Sequence, residues 1–302
     1  MEEEELAKLY KQRDRAVRVL SKNGHFRAVC IKNTATTRTA QINHHLPHFQ
    51  ASLLARAMSS ASLLASFLMG EERVIIELEG KGPISKIFAE ALQLGEVRGY
   101  VNFDKNFDFE SIESMSDLLG IGVLKVSRIM YNKREPVIGI VPLINGDVTS
   151  DIAEYFSNSE QIPSFVILDV AFDETGIIRQ SAGLIVQAMP GYTNEDLKVL
   201  YDKLLKVDKL TDYFENGATP LEVMKSILPF EFKLISSSQV DFFCRCSKES
   251  FMDKLATLNL KDIEEMHKSG ENELICQYCN SHYYLEKEDF SKMITEMKAK
   301  RN

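Results

Sequence analysis

The chain has 302 residues, 44% of them hydrophobic, enough for more than one buried core. A net charge of −8 argues against a partner held mainly through phosphate contacts, and the lack of tryptophan points the same way, so no nucleic-acid partner is expected. The opening Met1-Glu2-Glu3-Glu4-Glu5 is acidic where a secretory leader is basic, and the longest apolar run, 51–69, carries Arg56 and five serines. These features predict a cytoplasmic protein with no membrane span.

In chain order, 27–31 and 73–78 are β-branched and apolar and read as buried strands. Between them 49–68 is apolar or small on every side, the pattern of a central packed helix. Gly80-Lys81-Gly82-Pro83 marks a turn; it lacks the length and the Gly-Lys-Ser/Thr ending of a phosphate loop. A helix is predicted through 85–94, stopped by Gly95, then strands over 97–103, 122–129 and 137–143 and a helix over 147–156. Segments 165–172 and 177–189 close the region as a strand pair across Asp173-Glu174-Thr175-Gly176. Strands and helices without a βαβ rhythm define an α+β domain over 1–190.

Composition changes after Pro190-Gly191, and 191–230 reads as a helical linker. Thr193 caps one helix, with Leu197, Leu200, Tyr201, Leu204 and Leu205 as its apolar stripe. Thr219-Pro220 opens another, presenting Leu221, Met224 and Leu228 and closed by Pro229. Such short amphipathic helices are marginal alone and need a surface to dock on.

The segment 231–302 holds four of the five cysteines, as Cys244-Arg245-Cys246 and Cys276-Gln277-Tyr278-Cys279. Helices over 248–258 and 261–268, a short strand into Cys276, another over 282–285 and a last helix from about 288 surround them. Two close thiol pairs brought together by a loop supply the four ligands of one tetrahedral Zn²⁺, with no position left for a catalytic water. No enzyme is therefore expected. The ion would set whether so small a segment folds, because zinc binding to such modules is worth roughly 10–16 kcal/mol. Oxidation of two ligands removes half the shell, and cysteines two residues apart close only a strained ring, which suits Cys244 and Cys246 to a reversible signal.

Other readings stand beside this one. A Cys-x-x-Cys can be a thiol–disulfide oxidoreductase site, although such motifs open a helix after a strand, whereas Cys276 sits in a short β-like knuckle. A zinc ribbon can serve a nucleic-acid-binding regulator, against the acidic balance noted above. His267 and His282 could replace a ligand, yet with four thiols present each reads as a surface or packing residue. Arg245 and Lys248 either offset the thiolate charge or stay solvated. Cys30, in a strand-like run, reads as a small buried hydrophobe. His44, His45 and His48 have no carboxylate or thiol beside them in sequence and are not expected to bind metal.

With those residues in view, the chain resembles the heat-shock protein 33 family of redox-regulated chaperones. The thiol signature is preceded by Phe242-Phe243 and followed by Ser247-Lys248-Glu249. Further blocks match in order: Gly80-Lys81-Gly82-Pro83, Gly95-Glu96-Val97-Arg98-Gly99-Tyr100, Tyr155-Phe156-Ser157-Asn158-Ser159-Glu160-Gln161 with Pro163, and Gln187-Ala188-Met189-Pro190. One departure is Ser181-Ala182-Gly183, where the family tends to have Ala-Gly-Gly. The resemblance implies an ATP-independent holdase whose reduced, zinc-bound form is largely inactive. It implies that oxidants acting with an unfolding stress release zinc and join Cys244 to Cys246 and Cys276 to Cys279. The thiol domain and linker then unfold, and a homodimer captures unfolding client proteins.

Overall fold

A computed structural model describes residues 13–112 and 114–299, so the acidic opening Met1-Glu2-Glu3-Glu4-Glu5 lies outside the described residues. The elements run β1 (Arg15–Ser21), β2 (Phe26–Lys32), α1 (Thr34–Asn43), α2 (His48–Ala65), β3 (Arg73–Gly80), β4 (Ile84–Leu92) and β5 (Glu96–Phe103). Then come α3 (Met115–Leu119), β6 (Gly122–Ile129), β7 (Val137–Pro142), α4 (Thr149–Tyr155), a π-helical turn (Phe156–Glu160), β8 (Ser164–Phe172) and β9 (Ile178–Ala188). Helices α5 (Asn194–Leu204), α6 (Asp212–Glu215) and α7 (Pro220–Ile227) lead to β10 (Phe232–Gln239) and β11 (Asp241–Phe242). The rest is α8 (Lys248–Leu255), α9 (Leu260–Ser269), β12 (Glu273–Ile275), β13 (His282–Tyr284) and α10 (Lys287–Ala299).

Two sheets share one core. The first has the order β10-β1-β2-β9-β8 and the second β11-β5-β4-β3-β6-β7. Helix α2 packs between them, touching β3, β4 and β5 of one and β2, β8 and β9 of the other. Its central position explains a sequence apolar or small on all sides. The hydroxyls of Ser59, Ser60, Ser62 and Ser66 bond back to carbonyls one turn earlier at 2.8–2.9 Å, so its buried serines carry their own acceptors. Among the described residues no helix is long and apolar enough to cross a membrane.

The helix predicted through 85–94 is instead strand β4, paired antiparallel with β3 and β5. Alanine, lysine and glutamate favour a helix locally, but residues alternate between faces here. Ile87, Ala89 and Ala91 enter the core, whereas Lys86 reaches Glu77 and Glu79 at 2.8 Å and Glu90 reaches Arg73 at 3.1 Å and Arg98 at 2.5 Å. Cross-strand ion pairs, invisible to a local reading, overrule the propensity. The Gly80-Lys81-Gly82-Pro83 segment is the β3–β4 turn; a Cβ on Gly82 would lie 2.5 Å from the Leu118 carbonyl oxygen. At Ser181-Ala182-Gly183 the serine hydroxyl donates to Asn33 Oδ1 at 2.9 Å and Ala182 is buried, so β9 absorbs the departure without a break.

Helices α5–α7 dock on the other face of the first sheet. Leu200, Leu204, Leu210, Phe214, Val223, Met224 and Ile227 form one core with Val17, Val19, Ala28, Cys30, Leu184 and Val186. Both predicted N-caps are capping boxes, Thr193 with Asp196 and Thr219 with Glu222. Thr211 donates to Asp169 at 2.8 and 2.9 Å, tying the start of α6 to β8. Leu205 departs from its expected place on the stripe: it follows the last turn of α5 and is 72% exposed.

The boundary expected at 231 also shifts. Residues 232–239 form β10, which pairs along the whole of β1, and β11 then joins β5 of the second sheet. A Cβ on Gly95, whose φ is +101°, would fall 1.9 Å from the Gln239 carbonyl oxygen, so only glycine lets the chain pass between the sheets there. The chain divides into two compact units after Phe243, and the second contains all four paired cysteines.

Candidate metal centre

The second unit has a small core of Ile263, Leu285, Phe290, Met293 and Met297. Beside it β12 and β13 form a hairpin, and Cys276 and Cys279 occupy the turn that joins them. The turn closes tightly: Asn280 N–H donates to the Cys276 carbonyl at 2.7 Å, Cys276 N–H to the Ser281 carbonyl at 2.9 Å, and Asn280 takes a left-handed φ of +57°. Asparagine tolerates that conformation better than most residues. The other pair precedes α8, whose N-cap Ser247 exchanges hydrogen bonds with Ser250 immediately after Cys246. A cap fixed next to Cys246 holds the backbone of the short pair.

All four Sγ atoms lie within 4.8 Å of one another. The nearest sulfurs come from different pairs, Cys244 with Cys276 at 3.7 Å and Cys246 with Cys279 at 3.4 Å. Four sulfurs at about 2.3 Å from one ion stand about 3.8 Å apart in a tetrahedron, and a disulfide would require about 2.05 Å. All four are free cysteines, close enough together to share one metal ion. Cys276 is 3% and Cys279 6% exposed, whereas the first pair is half-buried. Among the described residues this is the single group of histidine, cysteine or acidic side chains placed to share a metal ion.

Neighbouring groups tune the sulfurs. Tyr283 Oη lies 3.1 Å from Cys246 Sγ and 3.1 Å from the Cys246 carbonyl, and Ser281 Oγ lies 3.2 Å from Cys279 Sγ. Burial pushes the Cys276 thiol up to about 12 and also raises Cys246. Burial opposes ionisation of Cys279 too, but hydrogen bonds from the Ser281 hydroxyl and amide, and from the Cys246 and Cys276 sulfurs, hold it below the ordinary thiol value. The bond to Cys246 is the main reason Tyr283 rises to about 12.

Other candidates fall away on geometry. His282 Nδ1 pairs with Glu273 at 2.8 Å, and His267 stacks on Phe290 with ring centroids 4.9 Å apart. His48 packs against Phe49 and the edge of Phe172. Cys30 is fully buried in β2, where burial pushes its thiol up. Lys248 is paired with Asp289 at 2.5 Å. Cys276 follows a strand but opens no helix, unlike the usual setting of a thiol-exchange pair. Tyr283 and Ser281 are the residues that sequence reasoning missed; hydroxyl-bearing side chains two and four positions past Cys279 were the available signal.

Residues 14–286 match the family model described as Hsp33 protein. The chain belongs to the Hsp33 family. These are redox-regulated chaperones, holdases without catalytic chemistry, and the four-cysteine cluster is consistent with their mode of regulation. The chain is 30% identical to the 33 kDa chaperonins of Bacillus cereus and Bacillus anthracis over 298 residues, covering 94% of this chain and all of theirs. The crystal structure of the 33 kDa chaperonin (heat shock protein 33 homolog) of Thermotoga maritima superposes with a TM-score of 0.86 at 25% identity, covering 95% of this chain and all of that one.

Proposed function

We propose that this Hsp33 chain is a cytoplasmic, ATP-independent holdase switched on by oxidation of Cys244, Cys246, Cys276 and Cys279. In the reduced state these four residues would hold one Zn²⁺, which when bound cross-links the β12–β13 hairpin to the segment before α8. The observation that carries the reading is the convergence of four free sulfurs, two of them nearly buried, at zinc-shell spacing. On oxidation each close pair gives up two electrons and two protons to one peroxide, forming the Cys244 to Cys246 or Cys276 to Cys279 disulfide and two waters. Each disulfide removes two ligands, and the small core left behind is marginal at this size.

The linker α5–α7 is the second half of the switch. Its helices are short, and their stability comes from docking on the first sheet. Their release would bare Leu200, Leu204, Phe214, Met224 and Ile227 together with the sheet face beneath them, an apolar surface suited to unfolding clients. The active species would be a homodimer. The test follows zinc release and suppression of client aggregation together, with and without peroxide at raised temperature. Loss of zinc in step with gain of holdase activity is expected; activity gained with zinc fully retained refutes the reading.

A further inference from the structure

A cavity of about 190 Å³ lies in the first unit, lined on its polar side by Arg27 of β2, Arg128 of β6, Glu160 of the π-helical turn and Gln187 of β9. Arg128 is committed to Glu160 at 3.0 Å, and the same carboxylate accepts from Tyr155 Oη at 2.5 Å. Arg27 is different. Its Nε donates to Gln187 Oε1 at 3.0 Å and its guanidinium lies 4.0 Å from the Phe67 ring centroid. Among the described residues no carboxylate pairs with it, and its Nη groups have no acceptor.

Two guanidiniums against one carboxylate give the lining a net positive charge. Arg18 adds to it from nearby: its Nη1 is held by the Ser66 carbonyl at 2.9 Å, while its Nε is buried without a partner. Burial first, then repulsion from Arg128 and Arg18, lowers Arg27 from the ordinary arginine value, and attraction to Glu160 offsets only part of this. A cation left half-buried between like charges is costly unless an anion compensates it. The remaining wall is apolar, including Phe67, Leu68 and Phe156. A dry cavity of roughly 150 Å³ takes up benzene, so this one has room for a ring or branched chain bearing a charged group.

Backbone geometry gives independent support. The turn Phe156–Glu160 is π-helical and puts its first and last residues on the cavity, and Gln161 beyond it has a φ of +54°. π-Turns and left-handed non-glycine residues recur at functional sites. Tyr155 to Gln161 and Gln187 to Pro190, two of the sequence blocks singled out above, meet at this cavity, and neither takes part in the thiol chemistry.

We propose that the cavity binds a monoanion with a small apolar body: a carboxylate pairing with Arg27, on an aromatic or branched aliphatic group lying against Phe67 and Phe156. Such a group is found on a free organic acid and at the end of a polypeptide whose last residue is apolar. The proposal is independent of the metal centre. Titration calorimetry of the full-length reduced protein with benzoate tests it, with benzamide as the uncharged analogue. Saturable one-to-one binding of benzoate is expected, weaker by about tenfold or more for benzamide and for benzoate with Arg27→Met, which keeps the apolar stem. Absence of saturable benzoate binding, or equal binding of benzoate and benzamide, overturns the proposal. Should Arg27→Met not fold, the acid–amide comparison on the unmodified protein decides alone. A peptide ending in leucine with a free carboxylate that displaces benzoate assigns the site to polypeptide ends. Its failure to do so, with benzoate bound, assigns it to free acids, and either result supports the anion site.

Discussion

Leu204 is the sharpest place to ask whether the linker helices are a latch. It is fully buried on the docking face of α5, whereas Leu205, the next residue, is 72% exposed. Truncating a buried leucine to alanine costs about 2–5 kcal/mol through lost transfer energy and the residual cavity. At about 1.4 kcal/mol per decade, Leu204→Ala should raise local opening of α5 by roughly 30-fold to several-thousand-fold. Leu205→Ala should change it by about 0.5 kcal/mol or less. Amide exchange on the reduced protein reads this directly: protection over 194–204 should fall in the first variant, and strands β3 and β4 should keep theirs. The same variant should suppress client aggregation with less peroxide than the parent chain. If protection drops equally in α5 and in β3–β4, the helices open only with the whole unit. If protection drops locally with no gain in holdase activity, the docked face is not the client surface.

Further outcomes follow from the metal centre and the linker caps. Cys276→Ser removes a buried thiol of the cluster and should abolish stoichiometric zinc retention and blunt the peroxide response, checked by zinc content and aggregation assay. Chelation of the reduced protein should melt the segment 244–299, whose small core cannot replace roughly 10–16 kcal/mol of binding energy, while exchange protection of β3 and β4 persists. Tyr283→Phe removes the hydroxyl beside Cys246 and should speed zinc transfer to a chelator by about tenfold, in line with the usual 10–100-fold effect of outer-shell groups. Asp196 is held below the usual carboxylate range, first by the Thr193 amide and then by its hydroxyl. That cap is fully present above the unfolded value of about 3.9 and is lost as pH falls through the lower folded value. Exchange in α5 should therefore rise below about pH 4, and the rise should be missing in Asp196→Asn.

The four-cysteine cluster was legible in sequence because its chemistry is local: two short thiol pairs and a knuckle spacing need no knowledge of the sheets. Helix α2, the β8–β9 hairpin and the N-caps Thr193 and Thr219 were legible for the same reason, since periodicity and cap residues are written in adjacent positions. Non-local elements were not. Strand β10 reads Phe-Lys-Leu-Ile-Ser-Ser-Ser-Gln, mostly exposed or half-buried at the sheet edge, and only its pairing with β1 makes it a strand. Helix α1 is rich in threonine, a weak helix former, and Thr37 and Thr39 satisfy their hydroxyls on carbonyls four residues back. The cavity between Arg27 and Glu160 draws on residues from β2, α2, β6, the π-turn and β9, so no window of sequence could show it.

Because β9 and β10 both belong to the first sheet, the helical segment is fastened at its two ends to one rigid platform. Detached, it would be a loop instead of a dangling arm, unable to drift farther than its own span. Loop closure costs grow only with the logarithm of length, so re-docking is a first-order event at any protein concentration.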